Sequence, residues 1–174
     1  MQMLDACGRK IDYLRISITD RCNLRCVYCM PENGVSSISH DSLLRYEEIV
    51  RLVRLMQPLG VQKVRSTGCE PMARRGCLDL VQNLHEMGGL SRIAMTTNAL
   101  LLRGRMQEAR DKGLTSINIS LDTLDPVCYR QMTRLGNVAP VLDAIDEALT
   151  CGLSVKVNAV PVRGMNENDL VSVA

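Results

Sequence analysis

Gly60-Val61-Gln62-Lys63-Val64, Gly89-Leu90-Ser91-Arg92-Ile93 and Gly113-Leu114-Thr115-Ser116-Ile117 are three copies of one phrase. Gly152-Leu153-Ser154-Val155-Lys156-Val157 is a fourth, one residue shorter. Each follows a helix-like segment. Glycine after a helix is the expected left-handed stop, and the β-branched run behind it reads as a short strand. Helix, glycine and strand in repetition is the pattern of βα units and a parallel sheet.

Working outward from the phrase, apolar periodicity predicts helices over 46–57 (Ile49, Val53, Met56), 77–87 (Leu80, Leu84, Met87), 104–112 and 139–150 (Leu142, Ile145, Leu149). The strands alternate. Strand one (13–19) sets Leu14, Ile16 and Ile18 against Arg15, Ser17 and Thr19, and strand four (115–122) sets Ile117, Ile119 and Leu121 against Asn118, Ser120 and Asp122. Strand five (154–160) sets Val155, Val157 and Ala159 against Lys156 and Asn158. Strand two puts Arg65 and Thr67 on its polar side, and strand three puts Thr96 and Asn98 there. A sheet with helices on both faces reads as continuous apolar runs instead. Here helices cover one face, and the other lines a polar chamber if the sheet curls. Ligand chemistry is expected at the C-terminal ends of the strands.

The chain has 174 residues, enough for one domain with a core. Charge is nearly balanced, with 21 basic and 19 acidic residues, which argues against a nucleic acid or membrane surface held by bulk charge. The first residues show no signal peptide and no apolar run is long enough to span a bilayer, so the expected compartment is the cytoplasm. There is no Phe and no Trp, so Leu, Ile, Val, Met and Ala must fill the core. Eight cysteines do not read as disulfides in a chain of this size and compartment. The five outside the triplet described next (Cys7, Cys69, Cys77, Cys128 and Cys151) are expected mostly as small buried hydrophobes.

Asp20-Arg21-Cys22-Asn23-Leu24-Arg25-Cys26-Val27-Tyr28-Cys29-Met30-Pro31 follows strand one and carries three cysteines spaced Cys-x3-Cys-x2-Cys. Three thiolates hold three irons of a 4Fe–4S cubane and leave the fourth open, whereas structural clusters are closed by four cysteines. A structural zinc site wants a fourth ligand, which argues against zinc here. The histidines, His40 and His85, do not look like ligands.

The triplet, the polar-lined βα sheet and Gly68-Cys69-Glu70-Pro71 together resemble the radical S-adenosylmethionine (SAM) superfamily. Within it the chain is similar to the N-terminal half of the GTP 3′,8-cyclases of molybdenum cofactor biosynthesis, the MoaA family. The resemblance rests on Gly8-Arg9, on the run Tyr13 to Cys26, on Tyr28-Cys29-Met30-Pro31 and Thr96-Thr97-Asn98, and on Ile117 to Asp122 and Val155-Lys156-Val157-Asn158. It implies an α/β fold: a partial (β/α)6 barrel with about five βα units, ending before a sixth strand.

The resemblance also implies that Cys22, Cys26 and Cys29 ligate a 4Fe–4S cluster and that SAM binds the open iron. Tyr28, Gly68, Cys69, Glu70 and Ser120 then lie at SAM-contact positions, and Arg15, Arg65, Thr96 and Lys156 at positions that hold GTP. The implied activity is a lyase reaction. Electron transfer to SAM yields a 5′-deoxyadenosyl radical, which attacks the ribose, and ring closure onto guanine gives (8S)-3′,8-cyclo-7,8-dihydroguanosine 5′-triphosphate. No single catalytic side chain is implied. The implied partners are GTP, an electron donor and a second copy of the chain. The competing readings are a different radical SAM enzyme, such as a peptide maturase, and a non-catalytic fragment.

Five positions depart from the family pattern. Cys69 replaces the second Gly of Gly-Gly-Glu-Pro, where a left-handed backbone would make a side chain costly. Ser66 stands on the helix-packed face, Ala99 replaces a turn glycine, Pro58 falls in the last turn of a predicted helix, and Arg45 stands where a Ser/Thr cap is usual. Asn166-Glu167-Asn168-Asp169 reads as a helix start close to Ala174. Residues 1–174 are therefore expected to be one radical SAM core domain, cut inside a βα unit, with no auxiliary-cluster domain. The family's second cluster and Gly-Gly tail have no counterpart in this sequence.

Overall fold

A computed structural model describes residues 2–36, 38–39 and 42–173; His40 lies outside the described residues. Five strands form one parallel sheet in the order β1-β2-β3-β4-β5: Tyr13–Ser17, Lys63–Thr67, Arg92–Thr97, Ser116–Ser120 and Ser154–Asn158. Spatial order equals chain order, so every crossover advances in one direction. That is the winding of a barrel; a doubly wound sheet reverses at a switch point.

The helices are α1 (Tyr46–Met56), α2 (Cys77–Glu86), α3 (Met106–Asp111), α4 (Pro126–Thr133), α5 (Ala139–Thr150) and the short α6 (Leu170–Val173). One core joins Ile16, Val64, Ile93, Met95, Ile117 and Ile119 of the sheet to Ile49, Val53, Leu80, Leu84 and Met106 of the helices. The repeat glycines 60, 89, 113 and 152 all adopt positive φ, between 75° and 107°. Gly113 is the tightest: an added Cβ would sit 2.3 Å from the His85 ring.

Several expectations change in the structure. β1, β4 and β5 end two residues earlier than the alternation suggests, which leaves Thr19, Asp122 and Val160 in the connections, and Asn98 lies just beyond β3. The buried stripe of α5 is Val141, Ala144 and Ala148. Leu142 and Leu149 are 37% and 56% exposed, while Ile145 between them is partly buried against the core. Both stripes have helical spacing, so periodicity alone does not choose between them.

Pro58 does not interrupt α1. The helix ends at Met56, and Pro58 opens a 3₁₀ turn, Gln57–Leu59, where a missing N–H is tolerated. At Arg45 the start of α1 is capped from inside, the Glu48 carboxylate accepting from the Arg45 N–H at 2.7 Å. Of the five cysteines outside the triplet only Cys77 is buried; Cys7 and Cys69 are exposed. α4 was not anticipated, although Asp125-Pro126 carries its start signal: Asp125 accepts from Cys128 N at 2.6 Å and Pro126 holds the first helical position.

Candidate cluster and cofactor site

The cysteine loop leaves β1 at the C-terminal end of the sheet and is held by its own backbone and by the end of α4. Arg25 N donates to Thr133 O at 3.1 Å and Val27 N to Met132 O at 2.9 Å. The Arg25 guanidinium folds back onto Cys22 O and Leu24 O. Arg134 spans the loop, donating to Arg25 O at 2.7 Å and Met30 O at 3.0 Å, on either side of Cys26 and Cys29. It does so at φ 62°, a left-handed conformation unfavourable for a side-chain-bearing residue.

Cys22 Sγ accepts from Leu24 N at 3.3 Å and faces the Asn98 amide at 3.8 Å. That amide is fixed by a 2.8 Å bond to Asn23 Oδ1. Burial pushes the Cys22 thiol up, and pushes Cys26 up to about 11. Metal ligation needs these two groups as thiolates.

Cys22, Cys26 and Cys29 line one cavity of about 160 Å³ together with Tyr28, Gly68, Cys69, Arg15, Thr96 and Ser120. Among the described residues no three His, Cys, Asp or Glu side chains converge on a single ion. A cubane takes one thiolate at each of separate irons, and three cysteines lining one cavity supply that donor set.

Gly68 sits at φ 152°, and an added Cβ would lie 2.6 Å from Thr19 O. The strain anticipated at Cys69 is absent: among the described residues only Ala99 and Arg134 combine a side chain with positive φ. The left-handed cost falls instead on Ala99, at φ 65°.

Glu70 does not line the cavity. It is fully buried and its carboxylate is spent on the protein, accepting from Thr97 Oγ1 (2.7 Å), Asn98 N (2.8 Å) and Met72 N (3.1 Å). Burial holds this carboxyl above its ordinary range. Its role is to tie the turn after β2 to the end of β3, and so to Asn98. Tyr28 OH donates to Asp122 Oδ2 at 2.7 Å, and Asp122 Oδ1 accepts from Val160 N at 2.9 Å. Asp122 is thus engaged and is not the ion partner of Arg15 or Lys156. Asn98, Asp122 and Arg134 were not singled out for these site roles by sequence. The bonds that tie them to the cysteine loop reach 75 to 109 residues along the chain, so no local pattern reveals them.

Arg15 and Arg65 occupy paired register positions on the polar face. Arg65 donates to Tyr13 OH and, at 3.3 Å, to Thr96 Oγ1. Lys156 lies on the edge strand β5, exposed, opposite Asn118. Among the described residues none of these three cations has a carboxylate partner. Two arginines side by side without a carboxylate repel, and an anionic ligand would relieve that repulsion.

Residues 16–174 match the model of the radical SAM superfamily. The chain belongs to the radical SAM superfamily. Membership implies a 4Fe–4S cluster and SAM as cofactors, in accord with the thiol-lined cavity. The chain is 48% identical over 169 residues to the GTP 3′,8-cyclase of Petrotoga mobilis, covering 97% of this chain and 52% of that protein. It is 49% identical to the GTP 3′,8-cyclase of Pelotomaculum thermopropionicum, covering 99% and 53%. The chain thus spans about half the length of the curated relatives it matches.

Among solved structures the fold is similar to Streptococcus suis SuiB bound to the precursor peptide SuiA, with a TM-score of 0.75 at 21% identity over 92% of this chain and 36% of that one. Methylornithine synthase (PylB) gives 0.73 at 20% identity over 91% and 47%. Both likenesses concern the fold alone. No helix of the described residues is long and apolar enough to cross a membrane.

Proposed function

We propose that these residues form the cluster- and SAM-binding core of a GTP 3′,8-cyclase, and that residues 1–174 are one domain of a longer enzyme. The observation that carries this reading is that one cavity is lined by Cys22, Cys26 and Cys29 and also by Arg15, Thr96 and Ser120 of the polar sheet face. When bound, the reduced cluster and SAM supply one-electron cleavage of a sulfonium C–S bond and a carbon radical.

The protein's part is positioning. Cys22, Cys26 and Cys29 hold the cluster. Tyr28, Gly68, Cys69 and Ser120 line the wall against which SAM lies, with Glu70 buttressing the turn from behind. Arg15, Arg65 and Lys156 hold the triphosphate, and Thr96 orients Arg65 through the bond it accepts. Charge-assisted bonds to phosphate in a partly closed cavity are the strong ones. An electron donor completes the reaction, and a second copy of the chain is a further partner.

The test is calorimetric titration of GTP into the reconstituted chain under anaerobic conditions. Arg15→Ala and Arg65→Ala should each weaken GTP about tenfold to a hundredfold, the loss of a charge-assisted bond of ~1.5–3 kcal/mol. A chain that cleaves SAM on reduction yet binds GTP no differently in either variant refutes the substrate assignment.

A further inference from the structure

Cys69 is a departure that adds a reactive group to the cavity. Its turn is fastened to the strand exit: Cys69 N donates to Thr19 O at 3.1 Å and Glu70 N to Arg21 O at 2.8 Å. The turn therefore lies beside the segment that enters Cys22. Gly68 locks this approach, since any Cβ there would strike Thr19 O. Cys69 itself needs no left-handed backbone, so its side chain is carried without strain. Its thiol is free, exposed and lines the same cavity as Cys22, Cys26 and Cys29.

We propose that Cys69 is a fourth thiolate ligand at this centre, occupying the iron that Cys22, Cys26 and Cys29 leave open until an incoming ligand displaces it. This rests on the reading that the triplet holds a cluster. Four cysteines are the closed donor set of 4Fe–4S proteins. Binding costs the Cys69 thiol its proton, displacement returns one, and the iron keeps its oxidation state throughout. The resting cluster is thereby guarded against loss of its fourth iron, and SAM binds by exchange with a thiolate.

The experiment compares the 174-residue chain with Cys69→Gly and Cys69→Ala after anaerobic reconstitution with iron and sulfide. Iron per chain is measured, and electron paramagnetic resonance is recorded after mild oxidation. An iron with no protein ligand is lost on oxidation and leaves a three-iron signal. The expected result is that signal in both variants and its absence in the unsubstituted chain, with SAM perturbing the reduced cluster at lower concentration in the variants. Cys69→Ala keeps a side chain at the position, so a folding defect of one variant does not decide the outcome. The same three-iron signal in all three chains overturns the proposal and leaves the cluster reading intact. Failure of all three chains to take up iron overturns both.

Discussion

Replacing Glu70 with alanine tests whether the turn after β2 is held by a buried carboxylate. Glu70 has no accessible surface and accepts three hydrogen bonds, from Thr97 Oγ1, Asn98 N and Met72 N. After truncation the Asn98 N–H is buried without a partner. The Thr97 hydroxyl loses its acceptor but still receives Ala99 N at 2.9 Å. Met72 is only partly buried, and its N–H reaches water. One to two orphaned groups at ~1–3 kcal/mol each put the loss near ~3 kcal/mol. In a chain of this size that is a fall in melting temperature of about 6–12 °C.

Glu70→Gln keeps the shape and, in its better amide orientation, sets one donor against another, so it should cost about 1–2 kcal/mol. Urea unfolding followed by circular dichroism reads both variants. The pH dependence has a definite sign. Burial raises the folded-state carboxyl above its unfolded value. Stabilisation from Glu70 is therefore fully present below the unfolded pKa and is lost as pH rises through the folded pKa. The penalty of Glu70→Ala should accordingly be larger near pH ~4 than near pH ~8. A Glu70→Ala chain within about 0.5 kcal/mol of the parent refutes the argument, because it would mean that the three donors find other partners.

Two further outcomes follow from the same geometry. Gly68→Ala should destabilise by about 1–3 kcal/mol or more and abolish iron uptake, because the added methyl meets the Thr19 carbonyl at 2.6 Å; unchanged unfolding and full iron content would contradict the close approach. Arg134→Ala should release the cysteine loop and lower iron retention, whereas Arg134→Gly, which loses the same bonds to Arg25 O and Met30 O, should unfold about 1 kcal/mol later because glycine relieves the positive φ. Equal stability of the two variants would show that the backbone at 134 carries no strain.

Much of this protein was legible without coordinates because its signals are local. The glycine stops, the alternation that separates Ile117 and Ile119 from Asn118 and Ser120, and the cysteine spacing all depend on neighbours within a turn or a strand. The choice between two adjacent stripes on α5 was not legible. Leu142, Ile145 and Leu149 are the more apolar set, yet Val141, Ala144 and Ala148 are the fully buried one, with Ile145 only partly buried against the core. Cys69 could not be judged either, since its cost depended on a φ that the residue name does not state.

The sequence by itself determined that strands and helices alternate, that the strands have one polar face, and that three thiols stand close together on the loop after the first strand. These follow from backbone sterics, side-chain period and spacing, which act over a few residues. The tertiary structure decided which groups share the cavity and which are spent on the protein. It turned Glu70 inward onto Thr97 and Asn98, paired Tyr28 with Asp122 and used Arg134 to close the cysteine loop, while leaving Arg15 and Arg65 side by side with no carboxylate partner among the described residues. The reason is that a buried polar group must find a partner wherever the fold supplies one. For these residues the partner comes from a different strand or helix, and only the winding of the sheet brings it near.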